Sequence, residues 1–563
     1  MNFKRYLSGL IKISGITESE IESMLVEIDD VKLGDFALPC FKLAKTLRNS
    51  PAAIAAELAA KIAPDTLIAK VEAVNGYLNF YLDRVSACRL ILEEINKTAN
   101  FGGSGEGKGK TICIDYSSIN IAKPFHIGHL GTTAIGNSLK KIYQFLGYNV
   151  VGINHLGDWG TQFGKLIVAY KLWGDVAAID RGGLKELQKI YVRFHAEAEK
   201  EPSLDEQARA WFKKIETGDK EALELFDYFK KITLDEDKKI YQRLGVDFES
   251  WDGESFYNDK MQPLLEELRK RGVTKMSDGA EIIDLSEYGM PPCLLVKKDG
   301  ASLYATRDMA AALYRKKTYG FYKSLYVVAL QQNLYFRQLF KALELSGFEW
   351  AKDMVHVAYG MVSLEEGSMS TRKGNVVWLA DVLDKAVEKA YKIITEKSPN
   401  LSGKEQAAEQ VGVGAVMFSA LCNSRIKDIV FSFDRVLNFE GETSPYIQYT
   451  YARTCSLREK AGGLDFKTGL DYSIFVDDES IVLAKLLNRF PVIVSEAGEK
   501  YEPSIVANYL IDLARAFNKY YFENRILGDE KPKQNARMLL VNQTGEILRK
   551  GLGLLGIKAP EKM

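Results

Sequence analysis

One run of the chain restricts its fold more than any other: Thr111 to Leu156, TICIDYSSINIAKPFHIGHLGTTAIGNSLKKIYQFLGYNVVGINHL. Thr111 to Tyr116 alternates and is β-rich, which predicts a buried strand, and Pro124 ends an irregular loop. Ile127, Leu130, Ala134, Leu139, Ile142 and Phe145 recur at helical spacing until Gly147 stops the helix. Asn149 to Asn154 is again apolar and β-branched. Strand, helix, strand is the unit that builds a parallel sheet. The ligand crevice of such a sheet lies at the C-terminal ends of its strands, with phosphates at a helix N-terminus.

The turn after the first strand lacks the glycine pattern G-x-G-x-x-G and carries Lys123, His126, Ile127, Gly128 and His129 instead. Gly128 has no side chain, so a base or ribose can lie flat against the first turn of the helix. His126 and His129 share a face, so both imidazoles can donate to oxygens on a pentavalent phosphorus as negative charge builds up. Two packing histidines are the alternative, but two of the chain's five histidines fall in this one turn.

His126-Ile127-Gly128-His129 is the HIGH signature of class I aminoacyl-tRNA synthetases and related nucleotidylyltransferases. The longer string Ser117 to His126, SSINIAKPFH, resembles the arginyl-tRNA synthetase family specifically. That resemblance implies an α/β protein with a Rossmann-like parallel-sheet catalytic domain, an N-terminal α+β domain and a C-terminal α-helical bundle. It also implies a reaction in which ATP, accompanied by Mg²⁺, activates L-arginine and the arginyl group passes to tRNA(Arg). A synthetase of the same signature for another amino acid, and a catalytically silent tRNA-binding homologue, are the two rival readings.

The rest of the chain divides accordingly. Residues 1–107 read as a small α+β unit, with helical patterns at Ile21 to Ile28 and Pro51 to Ile62, paired strands in Lys70 to Leu82, and a glycine-rich linker at Gly102 to Gly107. Residues 108–380 carry the catalytic sheet, interrupted from about 165 to 285 by charged helical stretches that show no catalytic constellation. In this part the sheet is expected to resume at Pro291 to Val296, continue at Ser324 to Gln332 and end at Met354 to Val362. Residues 381–563 read as amphipathic helices of a bundle, including Ala415 to Ser424.

Further motifs carry the resemblance along the chain. Gly157-Asp158-Trp159-Gly160-Thr161-Gln162-Phe163-Gly164 follows the first βαβ unit. Leu303-Tyr304-x-Thr306-Arg307-Asp308 matches the arginine-binding motif of the family, although an Asp at a helix start is also a common cap. By the resemblance Asp115 and Asp308 are acidic partners of the substrate and Tyr304 is a flat wall for its methylenes. Asn120 and Gln332 hold its amino and carboxylate end, and Ser118 is a further arginine-binding residue. Tyr335 stands where the family usually has His.

Gly367 to Asn375 resembles the second class I signature, K-M-S-K-S, with Ser368 and Thr371 in place of its lysines. Met369, Ser370, Arg372 and Lys373 are thus expected at the ATP phosphates, with Lys373 among the catalytic groups. In the family, the lysine at position 123 compensates for an altered loop of this kind. Near the C-terminus the resemblance implies a DALR-type anticodon-binding domain. There Tyr446, Gln448, Tyr451 and Arg453 interleave aromatic, polar and cationic groups, a composition suited to unpaired bases and phosphates.

Composition enters at three points. Lys+Arg and Asp+Glu both number 75, so any RNA contact must come from local basic patches. The six cysteines form no C-x-x-C pair, which argues against a zinc site and for a reducing compartment. No uncharged apolar run approaches the roughly 18 residues of a membrane span. A cytoplasmic monomer with no protein-held metal is the expectation.

Overall fold

A computed structural model of the protein describes residues 2–28, 30–298, 303–364, 377–466 and 469–563. Its centre is a four-stranded parallel sheet in the spatial order Met354–His356, Lys323–Tyr326, Thr111–Asp115, Asn149–Ile153. The first strand in sequence is therefore internal, with its immediate successor on one side and the later strands on the other. The order reverses between Thr111–Asp115 and Lys323–Tyr326, and ligands of open α/β sheets bind at such a reversal. Asp115 ends one of these strands and Tyr326 the other.

The helix Leu130–Phe145 follows the first strand and is buried nearly all round. One side packs on the sheet, where a Cβ on Gly136 would lie 2.2 Å from the Tyr116 ring. The other is covered by the C-terminal helices: Ser138 Oγ donates to Leu554 O at 2.9 Å and Tyr143 O–H to Gly498 O at 2.7 Å. The helix carrying the histidine turn is thus clamped between the sheet and the bundle.

The N-terminal part is a four-stranded antiparallel sheet, Val26–Glu27, Phe36–Pro39, Tyr77–Leu82, Ile68–Val74, packed on the helices Phe3–Leu10 and Pro51–Lys61. Asn75 and Gly76, at φ +50° and +83°, form the tight hairpin turn whose twist suits flanking strands. The buried Lys485 pairs with Asp35 at 3.2 Å and Glu27 at 3.6 Å, tying this sheet to the bundle. The glycine tract after it is packed at its start, where a Cβ on Gly102 would meet the Phe490 ring at 2.4 Å, and open at Gly105.

Four expectations about elements are corrected. Ile21 to Ile28 is not one helix, because the helix ends at Met24 and Val26–Glu27 is an edge strand. Cys293–Val296 belongs to a separate three-stranded antiparallel sheet with Lys275–Ser277 and Ala280–Ile283. Its residues alternate, Cys293 and Leu295 buried and Leu294 47% exposed, which is the pattern of a half-wet antiparallel strand and not of a parallel strand covered on both faces. Met354 to Val362 is likewise two strands. Met354–His356 is the sheet's edge, whereas Val362–Leu364 pairs in parallel with Ile429–Phe431. Finally, the helix placed at Ala415 to Ser424 starts earlier and stops sooner, at Lys404–Ser419.

The C-terminal part is helical, with long helices Leu379–Lys397, Lys404–Ser419, Ser444–Ala461, Asp478–Glu499, Ser504–Glu523 and Lys531–Leu554. Among the described residues no helix is long and apolar enough to cross a membrane.

Candidate active site

The histidine turn is a 3-10 turn, Ile127–His129, leading straight into the helix. Gly128 N–H donates to His126 Nδ1 at 3.1 Å and His126 N–H donates to His129 Nδ1 at 3.2 Å. With Nδ1 an acceptor on both rings, each neutral imidazole carries its proton on Nε2. Burial, with Lys123 nearby, pushes His126 down to about 4 and His129 well below the usual range. At neutral pH both rings are therefore uncharged Nε2–H donors, with centroids 3.8 Å apart and planes tilted by 30°.

The loop before the turn holds three non-glycine residues in the left-handed region, Ser117, Ser118 and Ala122, at φ 68°, 47° and 61°. Each costs on the order of 1–2 kcal/mol, so the surroundings must impose the conformation. They do so through side chains. Ser117 N–H donates to Thr132 Oγ1, and Ser117 Oγ meets Thr133 Oγ1 at 2.8 Å and Tyr241 O–H at 2.7 Å. Ser118 N–H donates to Asn154 Oδ1 and Ala122 N–H to Thr233 Oγ1. Thr233 and Tyr241 lie on the helix Lys220–Leu244, inside the segment that shows no catalytic motif. That insertion braces the signature loop. Gly157 is required here, since a Cβ would fall 1.8 Å from Asn120 Oδ1, and Asn120 pairs with it as an isolated bridge.

Asp115, expected as an acidic partner of substrate, is engaged within the protein. Its Oδ2 is 2.8 Å from Nη1 of Arg315, and its Oδ1 accepts from Ser118 Oγ at 2.7 Å. Its charge is matched inside the protein, and its part is to hold Ser118. Asp158 is similarly spoken for by Lys230 at 2.6 Å and by Ser255.

Asp308 is different. It lies one turn inside the helix Tyr304–Tyr319, whose N-cap is Leu303, so it is not a cap. Its Oδ2 accepts from Tyr335 O–H, its Oδ1 lies 3.9 Å from His155 Nε2, and the side chain is 28% exposed. Burial raises its carboxyl above the usual range, and a bound cation would reverse that. Tyr304, at 65% exposed, stands at the start of the same helix. Gln332 is exposed on the 3-10 turn Leu330–Gln332, which follows the strand ending at Tyr326.

Glu254 joins this group and was missed in the sequence, where nothing around it resembles a motif. Burial pushes it up to about 7 while Arg307, 3.3 Å away, pulls the other way; Asp308 and Lys123 also act on it. Lys123 therefore lies within electrostatic reach of both the histidine pair and the carboxylates.

Met369, Ser370, Arg372 and Lys373 lie outside the described residues. The segments bordering them reach the histidine turn: Ile127 N–H donates to Val377 O at 3.1 Å, Leu379 N–H to Phe125 O at 2.9 Å, and His126 bridges Trp378.

The helix Ser444–Ala461 sorts the four C-terminal candidates by face, two of them buried. Gln448 is 0% exposed and donates to Gln410 O and Lys558 O at 3.1 and 2.7 Å, which clips down the C-terminal tail. Tyr451 is 4% exposed. Neither offers a surface to RNA. Tyr446 is half-buried and accepts from Asn518 Nδ2 at 2.9 Å. Arg453 lies over the rings of Tyr449 and Tyr521 at 5.1 and 4.8 Å, and both tyrosines are 40% exposed. The wet aromatic and cationic face is Tyr449, Arg453 and Tyr521.

Comparison with known proteins agrees along the whole chain. Residues 92–433 match the model of the class I (R) tRNA synthetase catalytic domain, residues 447–563 that of the DALR anticodon binding domain, and residues 2–82 that of the arginyl tRNA synthetase N terminal domain. The arginine–tRNA ligase of Halothermothrix orenii is 50% identical and that of Alkaliphilus metalliredigens 49%, each over 100% of both chains. The solved arginyl-tRNA synthetase of Thermus thermophilus superposes with a TM-score of 0.81 at 27% identity, covering 96% of each chain. With half of its residues identical to a curated arginine–tRNA ligase over the full length and all three domain models matched in order, this chain belongs to the arginyl-tRNA synthetase family.

Proposed function

We propose that the protein activates L-arginine with ATP and passes the arginyl group to the 3′ end of tRNA(Arg). A carboxylate oxygen of arginine attacks the α-phosphorus, the bond to the bridging oxygen breaks, and pyrophosphate leaves. A hydroxyl at the tRNA 3′ end then attacks the carbonyl carbon of arginyl-adenylate and AMP leaves. No protein group bonds to an intermediate, so catalysis rests on positioning and on charge stabilisation.

In this reading His126 and His129 donate Nε2–H to phosphate oxygens, Lys123 adds a positive charge beside them, and Gly128 leaves room for the nucleoside. Asp308 takes the guanidinium, with Glu254 beside it and Tyr304 as a wall. Ser118, Asn120 and Gln332 hold the amino-acid end. Met369, Ser370, Arg372 and Lys373 meet the leaving pyrophosphate. Mg²⁺ travels with the ATP phosphates, whose oxygens are hard ligands for it; the protein groups around His126 are N–H and ammonium donors, suited to those oxygens and not to a metal.

tRNA spans the units 1–107, 108–380 and 381–563, its anticodon end against Tyr446, Tyr449, Arg453 and Tyr521. Action as a cytoplasmic monomer belongs to the same reading; the six free cysteines support a reducing compartment, and sedimentation measures the mass in solution.

The observation that carries the proposal is the pair of neutral imidazoles opening the helix Leu130–Phe145, with Lys123 in electrostatic reach of both them and Glu254. Pyrophosphate exchange into ATP tests it, run with each amino acid, with and without tRNA(Arg). Exchange is expected with arginine alone and only when tRNA is present. Exchange with another amino acid would overturn the substrate. No exchange with any amino acid, in a protein that still binds tRNA, would favour a silent homologue.

A further inference from the structure

Tyr335 lies on the helix Asn333–Leu345, one strand further along the chain than the helix carrying Asp308, and its hydroxyl donates to Asp308 Oδ2. The phenol stands on a rigid base. Its ring meets Phe336 edge-on at 5.5 Å, and Phe336 in turn stacks on His356 at 4.6 Å and packs against Tyr326 at 5.3 Å. His356 is fixed by a 2.9 Å contact from Nε2 to Val328 O. The donor is therefore anchored to the edge strand Met354–His356 and its inner neighbour Lys323–Tyr326.

A guanidinium presents two parallel N–H groups in a fixed plane, and a carboxylate receives both only when its own plane is held to match. The Asp308 side chain could otherwise turn about its Cβ–Cγ bond. Tyr335 holds Oδ2 and leaves further lone pairs on both oxygens, with Oδ1 turned towards His155 at 3.9 Å. Burial of the ring pushes the Tyr335 hydroxyl well above its ordinary range, so it stays a donor throughout the working pH range.

We propose that Tyr335 is a positioning residue for arginine selection: its hydroxyl fixes the plane of the Asp308 carboxylate so that it accepts a guanidinium in two-point contact. This rests on the reading of Asp308 as the guanidinium partner. Because the phenol touches the carboxylate and not the substrate, its effect should appear in arginine binding and not in ATP binding.

The test is steady-state arginylation by the full chain with Tyr335→Phe, Tyr335→His, Asp308→Asn and the Tyr335→Phe/Asp308→Asn pair. Tyr335→Phe keeps the ring and removes only the donor. The arginine KM should rise about 10- to 100-fold, the range for one hydrogen bond to a charged group, with the ATP KM and the melting temperature unchanged. Tyr335→His, which keeps an N–H donor on a ring, should recover part of the loss. In the double variant Tyr335→Phe should add nothing to Asp308→Asn. An unchanged arginine KM in Tyr335→Phe, with a raised one in Asp308→Asn, would overturn the role of Tyr335 and leave the guanidinium site standing. An unchanged arginine KM in Asp308→Asn would overturn the site reading itself. A parallel rise in both KM values, or a lowered melting temperature in Tyr335→Phe, would mark the phenol as packing and overturn the proposal.

Discussion

Arg315 Nη1 lies 2.8 Å from Asp115 Oδ2, with the two side chains 2% and 8% exposed. The arginine is reached some 200 positions after the carboxylate, yet the pair sits directly under the crevice and holds Ser118 through the other carboxylate oxygen. Breaking such a buried pair from one side strands a charge. Arg315→Met is expected to destabilise the fold by about 3–5 kcal/mol, read from urea unfolding, and Arg315→Met with Asp115→Asn should lose much less. An Asp115→Asn variant that keeps its stability but loses arginine affinity as strongly as Asp308→Asn would instead restore Asp115 as a direct substrate partner.

The histidine pair gives a pH prediction. His126 is held at about 4 by burial, against about 6.5 in an unfolded chain, so the unfolded chain takes up a proton first as the pH falls. The stability contribution of this residue is full above about 6.5 and declines from there down to about 4. Exchange activity at saturating substrates should accordingly show no step near 6.5 from these rings. His126→Asn and His129→Asn should each slow activation by roughly 10²- to 10³-fold, as for one lost donor to a developing charge. A step near 6.5 in the wild-type profile that vanishes in both variants would show that the imidazoles act in charged form.

Lys123 is expected to supply charge that the altered second signature lacks. Lys123→Met should lower activation by roughly 10²- to 10³-fold with little change in tRNA binding. Thr371→Lys in that background should restore part of the rate. Near-normal activation by Lys123→Met would show that Arg372 and Lys373 suffice.

The strand, helix and strand around the histidine turn were legible because their apolar spacing is local, and the signature loop because its residue string is long. The Asp115–Arg315 pair was not legible because a carboxylate at a strand end looks the same with or without a buried arginine arriving from a distant helix. Cys293 to Val296 is too short for its alternation to be told from a buried run. Gln448 and Tyr451 share a composition with the wet face of their helix but lie on the other side of it. Thr233 and Tyr241 brace the signature loop from an insertion with no motif, because bracing needs only a hydroxyl in the right place.

The wet face is testable separately from the buried one. Tyr449→Ala and Tyr521→Ala, each removing a ring that flanks Arg453, should weaken tRNA binding by about 1–3 kcal/mol per stacked base and leave tRNA-independent properties such as ATP binding unchanged. Gln448→Ala should instead loosen the C-terminal tail and lower the melting temperature. If Gln448→Ala weakened tRNA binding at full stability while Tyr449→Ala did not, the assignment of the two faces would be reversed.

Asp237 stands between Thr233 and Tyr241 on the same face of the helix Lys220–Leu244, 1% exposed, with neither carboxylate oxygen hydrogen-bonded. Burial, with Glu236 adding to it, pushes the carboxyl well above its ordinary range. The folded chain therefore keeps a proton that the unfolded chain loses at about 3.9. Stability from this group is full below that value and is lost as pH rises towards the raised folded one, at about 1.4 kcal/mol per pH unit within the window. Asp237→Asn keeps the shape and removes the titration. It should unfold at higher urea than the parent at pH 7, and the two should converge near pH 4. Since the neighbouring Thr233 and Tyr241 fix the strained loop that presents His126, the variant should retain wild-type activation. Equal pH slopes in the variant and the parent would mean that Asp237 is ionised and paired in solution, and the buried-acid account would fall.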